Sequence, residues 1–156
     1  MTSERREVDE FIAEILPRVR AMDLALHHGD VAPRVEMWSH RDPVTVFGAV
    51  LSASGWDAIL PIFQALASQF SKGTYEYEVV AAGVSDDLAY IAGFEHTTAA
   101  VGSGDPKPYH LRVTTIFRRE DGQWKIVHRH ADPMPGSDET QRQVARLDSQ
   151  LRSGRS

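Results

Sequence analysis

The first part of the chain carries hydrophobic residues at helical spacing. Between residues 7 and 28 the apolar positions recur every three or four residues, at Phe11, Ile15, Val19, Met22 and Leu26. This spacing predicts an amphipathic helix. Pro17 falls within it and removes one backbone donor, so we expect a kink or two abutting helices there. Gly29 suits the left-handed cap that ends a helix.

Two further helices and a short strand are expected before residue 73. Pro33 stands near the start of APRVEMWS, which is typical of the first turn of a short helix. The stretch DPVTVFGAV predicts a turn followed by a short strand. Ser54 is a candidate cap of a second main helix, whose apolar face carries Ile59, Phe63, Leu66 and Phe70.

Beyond Gly73 the hydrophobic pattern changes to a period of two. The turn signals SDD, GSGDPKP and EDG separate segments rich in β-branched and aromatic residues, which read TYEYEVVAAGV, LAYIAGFEHTTAAV, YHLRVTTIFRR and WKIVHRHA. Alternation bounded by turn residues predicts four sequential strands in an antiparallel meander, with EDG as a hairpin turn. Helices followed by such a sheet indicate an α+β domain.

The parity of the last strand decides which of its side chains point into the fold. Because side chains alternate along a strand, Arg129 is predicted to lie on one face, and the other face is predicted to carry Trp124, Ile126, His128 and His130. A single β-bulge would reverse this parity.

The end of the chain is expected to form a tail, residues 134–156, that is partly helical or disordered and lies outside a domain of residues 1–133. Val144, Leu147 and Leu151 give this tail a weak amphipathic pattern. Its last residues are expected to fray.

Composition and charge exclude several classes of function. A chain of 156 residues, 42% hydrophobic and 25% charged, has the balance of a single globular domain. Its net charge of −5 provides no basic surplus for binding nucleic acid. The absence of cysteine excludes disulfides, thiolate zinc sites and a cysteine nucleophile. The polar start MTSERREVDE and the lack of an apolar run near ~20 residues favour a cytoplasmic protein without a membrane segment.

Three stretches of the sequence resemble a known family. They are RDPVTVFGA, DDLAYIAGFEHTTA and, above all, LRVTTIFRREDGQWKIVHRHADP. With the order of helices and strands, they are similar to the SnoaL-like branch of the nuclear transport factor 2-like superfamily over roughly residues 7–133. The resemblance implies a cone, in which a bent antiparallel sheet wraps long helices and leaves an apolar pocket at its open end. It also implies a homodimer formed through the outer face of the sheet.

The resemblance does not select an activity, because the superfamily includes ketosteroid isomerases, polyketide cyclases, dehydratases, transport factors and kinase association domains. Where ketosteroid isomerases carry their catalytic base and oxyanion-hole donors, this chain has Phe47, Met22 and Ile116, so that mechanism is excluded. The arginines that line the pocket of the kinase association domain correspond to Ala92, Thr115 and Ala131. A carboxylate-binding pocket of that kind is therefore not expected.

The remaining candidates for a ligand site are aromatic or polar side chains that a cone can direct inward, namely Trp38, Phe47, Tyr90, Thr115, Arg129 and His130. His40 and Asp42 precede the first strand and are weak catalytic candidates as an acid–base couple, although Asp42 before Pro43 is more typical of a turn. Glu95 is expected to pair with Arg112 on the neighbouring strand.

Neither a metal nor a cofactor is expected. His128 and His130 lie two residues apart on one strand, but a metal site needs at least a third ligand, and no spacing ties one to the pair. We interpret both as hydrogen-bonding groups at the end of the sheet, with His130 closer to a ligand or a dimer contact.

Two hypotheses of function remain. The first is a homodimer whose cone binds a small, mostly apolar or aromatic molecule, and which is a candidate isomerase, cyclase or hydratase. The second is a non-enzymatic dimerisation or assembly domain with a vestigial pocket. A deep pocket that holds a titratable group with a shifted pKa favours the first hypothesis. A collapsed core beneath a large apolar outer face favours the second.

Overall fold

Four helices and six strands make up residues 2–153, the part of the chain that this computed structural model describes. The helices are α1 Ser3–Leu26, α2 Ala32–Met37, α3 Trp56–Gln69 and α4 Asp138–Ser153. The strands are β1 Thr45–Phe47, β2 Ser52–Ser54, β3 Phe70–Ser85, β4 Leu88–Val101, β5 Lys107–Glu120 and β6 Gln123–Pro133. The α+β class is confirmed. None of these described helices is both long enough and apolar enough to span a membrane.

The six strands form one curved sheet in the order β2-β1-β6-β5-β4-β3. Strands β3 to β6 form the antiparallel meander that the alternation predicts. Strand β1 joins the sheet parallel to β6, and β2 folds back antiparallel on β1. Strand β2 differs from the expectation, because Ser54 ends this strand instead of capping α3. The helix begins after Gly55, whose φ of 89° favours glycine.

Helix α1 runs through Pro17 as one helix instead of two. Pro17 and Ala13 are both exposed, so water can reach the Ala13 carbonyl that the proline leaves without an amide donor. The opposite face of the helix is buried in the cone, and it carries the predicted stripe of Phe11, Ile15, Val19, Met22 and Leu26.

A β-bulge at Val127 reverses the parity of the last strand. Ile116 on β5 pairs with His128, whereas the next residue, Phe117, pairs with Ile126, so Val127 has no partner in the ladder. The prediction that the two histidines share the face of Trp124 is therefore wrong. Trp124, Ile126 and Arg129 point into the cone, and His128 and His130 point to the outer face of the sheet.

Helix α4 packs against the cone. The buried face of the helix includes Gln143 and Leu147. The Gln143 side-chain amide donates to the Ala99 carbonyl at 2.8 Å, and the Thr140 hydroxyl accepts from the His110 amide at 3.0 Å. The helical part of the predicted tail is therefore attached to β4 and β5. The expected fraying of the last residues falls on residues 154–156, outside the described residues.

Trp124 anchors the β5–β6 hairpin to α1. Its side chain is 2% exposed and meets Phe11 edge-on, with 5.3 Å between ring centroids. Trp124→Ala is expected to lower the free energy of unfolding by about 3–5 kcal/mol, because loss of a buried aromatic side chain leaves a cavity. Urea denaturation followed by circular dichroism measures this change. Trp56→Ala, at a partly exposed tryptophan, is the matched control; equal losses from both substitutions would contradict the anchoring role.

Candidate functional site

A cavity of about 70 Å³ lies inside the cone, between α1, α3, α4 and the inner face of the sheet. Its walls are mostly apolar, and aliphatic side chains from the helices and from the loop after β1 form much of the surface, among them Leu26, Val50, Leu51, Ile62, Leu66 and Leu147. The volume suits a small occupant. The expected apolar pocket of the cone is therefore present.

Polar side chains from five elements also line the cavity. They are Asp23, His27, Arg34, Tyr109, Arg129 and Gln143. Helix α1 supplies Asp23 and its C-cap residue, His27, and α2, β5, β6 and α4 supply one each. Two buried ion pairs hold Asp23, Arg34 and Arg129, half of this polar group, in place.

The first ion pair joins α1 to α2. Asp23 and Arg34 are 1% and 2% exposed, and the Arg34 Nη2 group donates to Asp23 Oδ1. The guanidinium also lies over the Phe63 ring, 4.9 Å from its centroid. Asp23 Oδ2 and Arg34 Nε are buried without a hydrogen-bond partner among the described residues. Two residues that line the cavity thus keep a buried carboxylate oxygen and a buried N–H donor without partners.

The second ion pair joins β4 to β6. Arg129 donates from both terminal nitrogens to the two oxygens of Glu95, at 2.7 and 2.8 Å, and the Tyr75 hydroxyl donates to Glu95 at 2.6 Å. The expected Glu95–Arg112 pair is wrong. Arg112 stands opposite Phe94 in the ladder, so it lies on the outer face, where Asp132 is 3.8 Å away.

The two buried carboxyl groups differ in their readiness to take up a proton. Burial raises the pKa of Asp23 above its ordinary value, although Arg34 beside it favours the charged form. Burial acts on Glu95 too, but the two hydrogen bonds and the charge of Arg129 hold the pKa of Glu95 below its ordinary value. The single hydroxyl proton of Tyr75 goes to Glu95 and is not available to Asp23. Opposite shifts in neighbouring carboxyl groups are the pattern of an acid–base group beside a permanent ion.

His27 is held neutral, with one defined tautomer. Its Nδ1–H donates to the Asp23 backbone carbonyl at 2.7 Å, so its Nε2 accepts from the Tyr109 hydroxyl. Burial lowers the pKa of His27 to about 4. The ring also packs closely on β3, where a Cβ on Gly73 would approach the His27 Cβ to 2.4 Å. His27 therefore positions Tyr109 and does not supply a charge.

Of the predicted ligand-site residues, Arg129 lines the cavity and five others do not. Thr115 is buried directly opposite Arg129 in the ladder. Trp38 is buried against Phe63 at the end of α2. Tyr90 lies on the outer face of β4, with its ring across Gly83 of β3.

The other two predicted residues, Phe47 and His130, meet each other on the outer face, with ring centroids 5.7 Å apart. The bulge at Val127 places His130 there. His40 and Asp42 are exposed and do not line the cavity. His40 stacks on Trp56 at 4.0 Å between ring centroids. Among residues 2–153, no three His, Asp or Glu side chains are grouped so that they could hold a metal ion.

Asp23, His27 and Arg34 are cavity residues that the hydrophobic pattern did not single out. Asp23 and His27 follow Val19 at successive spacings of four, so both fall on the buried face of α1. A charged residue within an apolar stripe is the signal that identifies Asp23, since burial of an unpaired charge is costly. Arg34 gives no such signal, because α2 is too short to show a periodic pattern.

His27 is expected to make stability depend on pH. Its pKa is about 4 in the folded protein, against an ordinary value of 6.5. Between these values the unfolded chain binds a proton that the folded protein does not, so the free energy of unfolding falls as the pH drops through this window. The shift corresponds to about 3 kcal/mol. His27→Gln keeps hydrogen-bonding groups without titrating, and it should flatten the dependence.

Urea denaturation across this pH window measures the effect. The raised pKa of Asp23 has the opposite sign, since stability then falls as the pH rises, but it acts in both proteins and cancels in their difference. His40→Gln, at an exposed ring, is the control and should keep the wild-type slope. An unchanged slope in His27→Gln would contradict the assignment.

Solved structures of other proteins share the fold of this chain. A superfamily protein of the nuclear transport factor 2-like type from Salmonella enterica serovar Typhimurium gives a TM-score of 0.71 at 18% identity, covering 86% of this chain and 96% of that chain. A candidate dehydratase of the same fold family from Streptomyces avermitilis gives 0.67 at 18% identity, covering 82% and 99%. A candidate calcium/calmodulin-dependent kinase II association domain from Xanthomonas campestris gives 0.62 at 19% identity, covering 81% and 87%. Identities this low establish a shared fold and no shared activity.

The family model described as the SnoaL-like domain matches residues 15–135. No curated protein matches the chain. The expected cone and the expected family are both confirmed. The chain belongs to the SnoaL-like domain family and has the nuclear transport factor 2-like fold.

Proposed function

We propose that the cone binds a small, uncharged, mostly apolar or aromatic molecule and moves a proton on it, with Asp23 as the acid–base group. The observation that carries this proposal is the difference between the two buried carboxyl groups. Glu95 is neutralised by two hydrogen bonds from Arg129 and one from Tyr75. Asp23 keeps a free oxygen beside the cavity and a raised pKa, which brings it closer to the range in which a carboxyl group exchanges protons near neutral pH.

The charge of the cavity supports a neutral occupant. The two carboxylates, Asp23 and Glu95, are balanced by the two guanidinium groups of Arg34 and Arg129, and His27 is neutral. A charged ligand would leave one charge without a counter-ion in an apolar enclosure, which is costly. A hydroxyl or carbonyl group can instead accept from Arg34 Nε–H, and a hydroxyl can donate to Asp23 Oδ2, once small side-chain movements open these two buried atoms to the cavity; both lack partners among the described residues.

Proton transfer next to a polarised oxygen is common to isomerisation, cyclisation and hydration. In each of these reactions, a base removes a proton beside a carbonyl or hydroxyl carbon, or an acid returns it. Asp23 directly follows Met22 on α1. The proposed base therefore lies on this helix, and not on the first strand, where ketosteroid isomerases carry theirs. Arg34 holds its carboxylate in place, and the apolar wall excludes water from the bound molecule.

Cyclohexanone in D2O is a suitable probe, since its α-protons exchange when a base removes them. We expect the protein to accelerate this exchange, measured by NMR near neutral pD. Asp23→Asn should reduce the acceleration by about 10²–10⁴-fold, the contribution of a positioned acid–base group. Asp42→Asn, at the exposed carboxylate outside the cavity, is the matched control and should exchange at the wild-type rate.

Asp23→Asn leaves Arg34 without its carboxylate, so circular dichroism must show that the variant is folded. A folded variant that exchanges at the wild-type rate would contradict the role of Asp23. Binding of cyclohexanone without accelerated exchange in the wild type would favour a binding protein over an enzyme.

The outer face of the sheet supports a homodimer, as part of the same proposal. Large hydrophobic side chains are exposed there, with Val80 64%, Leu88 53% and Phe47 44% exposed. The cavity and the helices that surround it lie on the other side of the sheet. A broad face with exposed apolar side chains is typical of a contact with another chain. This surface is also what a non-enzymatic assembly domain, the second candidate function, would use.

Tyr90→Asp is expected to dissociate the dimer, because it places a charge on the proposed contact. Sedimentation velocity at micromolar concentration should give a dimer for the wild type and a monomer for the variant. Leu24→Asp on α1 is the matched control, since Leu24 and Tyr90 are both 43% exposed. A monomeric wild type would contradict the proposed dimer. Equal dissociation by both substitutions would show that the contact is not this face.

A further inference from the structure

A pair of histidines lies on the outer face of the sheet, away from the cavity. His96 on β4 and His110 on β5 stand directly opposite each other in the antiparallel ladder. Their Nδ1 atoms are 2.8 Å apart, and the rings meet edge-on with centroids 5.0 Å apart. Two lone pairs or two protons would repel each other at this distance. The space between the two nitrogens therefore holds a single proton.

Glu78 on β3 decides where the protons lie. Its Oε1 is 3.0 Å from His96 Nε2, and a carboxylate can only accept, so that nitrogen carries a proton. Neutral His96 therefore directs its Nδ1 lone pair towards His110. The Nδ1–H of His110 occupies the space between the rings, which leaves its Nε2 as the acceptor. A single proton thus joins the two nitrogens, and rotation of the two part-exposed rings would direct both lone pairs at one point beside the N···N line.

We infer that this pair is a binding site for a divalent transition metal, Cu²⁺ or Ni²⁺, which displaces the shared proton and lies to one side of the line between the two nitrogens. Metal–nitrogen bonds of about 2.0–2.1 Å that meet at a right angle place the two nitrogens about 2.9 Å apart, whereas a tetrahedral angle requires about 3.3 Å. The observed 2.8 Å separation fits the right angle. Square-planar and tetragonal nitrogen sites are those of Cu²⁺ and Ni²⁺.

Apart from this ring rotation, metal binding at this pair requires only a change of tautomer at His110. His110 loses the proton on Nδ1 to water and gains one from water on Nε2, so two neutral rings bind the ion with no net proton release. His96 keeps its Nε2–H on Glu78. Histidine ligands commonly donate their second ring N–H to a carboxylate, which orients the ring and makes it a better ligand. Two protein ligands are fewer than the three that a protein zinc site needs, and the other coordination positions of the Cu²⁺ or Ni²⁺ ion are left to water.

The other two histidines of this face are arranged differently. His128 and His130 lie on one strand with ring centroids 6.5 Å apart, and the Phe47 ring packs against both. The Thr45 hydroxyl meets His128 Nδ1 at 2.6 Å, so this nitrogen already has a partner. These two rings therefore present no shared point for an ion, and they provide a matched control.

Titration of the metal-free protein with CuCl₂, NiCl₂ and ZnCl₂, followed by calorimetry and native mass spectrometry, tests the site. We expect one equivalent of copper per chain, bound most tightly, and nickel bound more tightly than zinc. Electron paramagnetic resonance of the copper protein should show two imidazole nitrogens. His96→Ala and His110→Ala should each abolish the site, and Glu78→Gln should weaken copper binding by about 10–100-fold. His128→Ala should bind as the wild type does.

Three results would overturn the inference. Copper that binds at several equivalent places, or with the same affinity in His96→Ala, would be an adventitious ion only. Loss of binding in His128→Ala would place the ion at the other histidines. Zinc bound more tightly than nickel would exclude the right-angled geometry. The titration is repeated on Tyr90→Asp, so that the site is measured whether or not the chains associate through this face.

Discussion

Two buried ion pairs hold the interior of this cone together, and the rest of the site depends on them. Asp23 with Arg34 joins the end of α1 to α2, and Glu95 with Arg129 joins β4 to β6. Four charges in an apolar interior are stable only as a balanced group, because each lone charge would carry the full cost of desolvation. Helices α1 and α2 and the sheet must therefore assemble together. The cavity is the space that this polar group and the surrounding aliphatic side chains leave.

The two faces of the sheet have different chemistry for a simple geometric reason. Along β4, Glu95 points into the cone and its neighbour His96 points out. The inner face pairs its charged groups with each other, away from water, so burial, the neighbouring charges and hydrogen bonds together decide their protonation. The outer face keeps its histidines at the surface of the single chain, where an ion from solution can reach them unless a second chain covers this face. One strand thus contributes to the proposed proton-transfer site on one side and to the proposed metal-binding pair on the other.

Much of the fold could be predicted from periodicity, and much of the site could not. The stripe of α1 and the four-stranded meander follow from spacings of 3.6 and two residues, which local sequence determines. The helix α4 was visible as a weak pattern at Val144, Leu147 and Leu151, but its place over the cavity depends on distant contacts with β4 and β5. Aromatic rings are natural candidates for the lining of a cone, whereas charge pairing positions the polar side chains that line this cavity. Asp23 and Arg34 are eleven residues apart on different helices, and no local pattern connects them.

The bulge at Val127 makes the identity of this site depend on how β6 pairs as well as on which residues it contains. If the same residues formed a strand without the bulge, Val127 would pair with Ile116, and the two faces of the strand that follows would be exchanged. His128 would then enter the cone, and Glu95 would lose Arg129 as its counter-ion. Deletion of Val127 would instead make Ile126 and His128 neighbours, and every following side chain would keep its present face. The position of Arg129 inside the cone therefore requires the bulge to form around its extra residue.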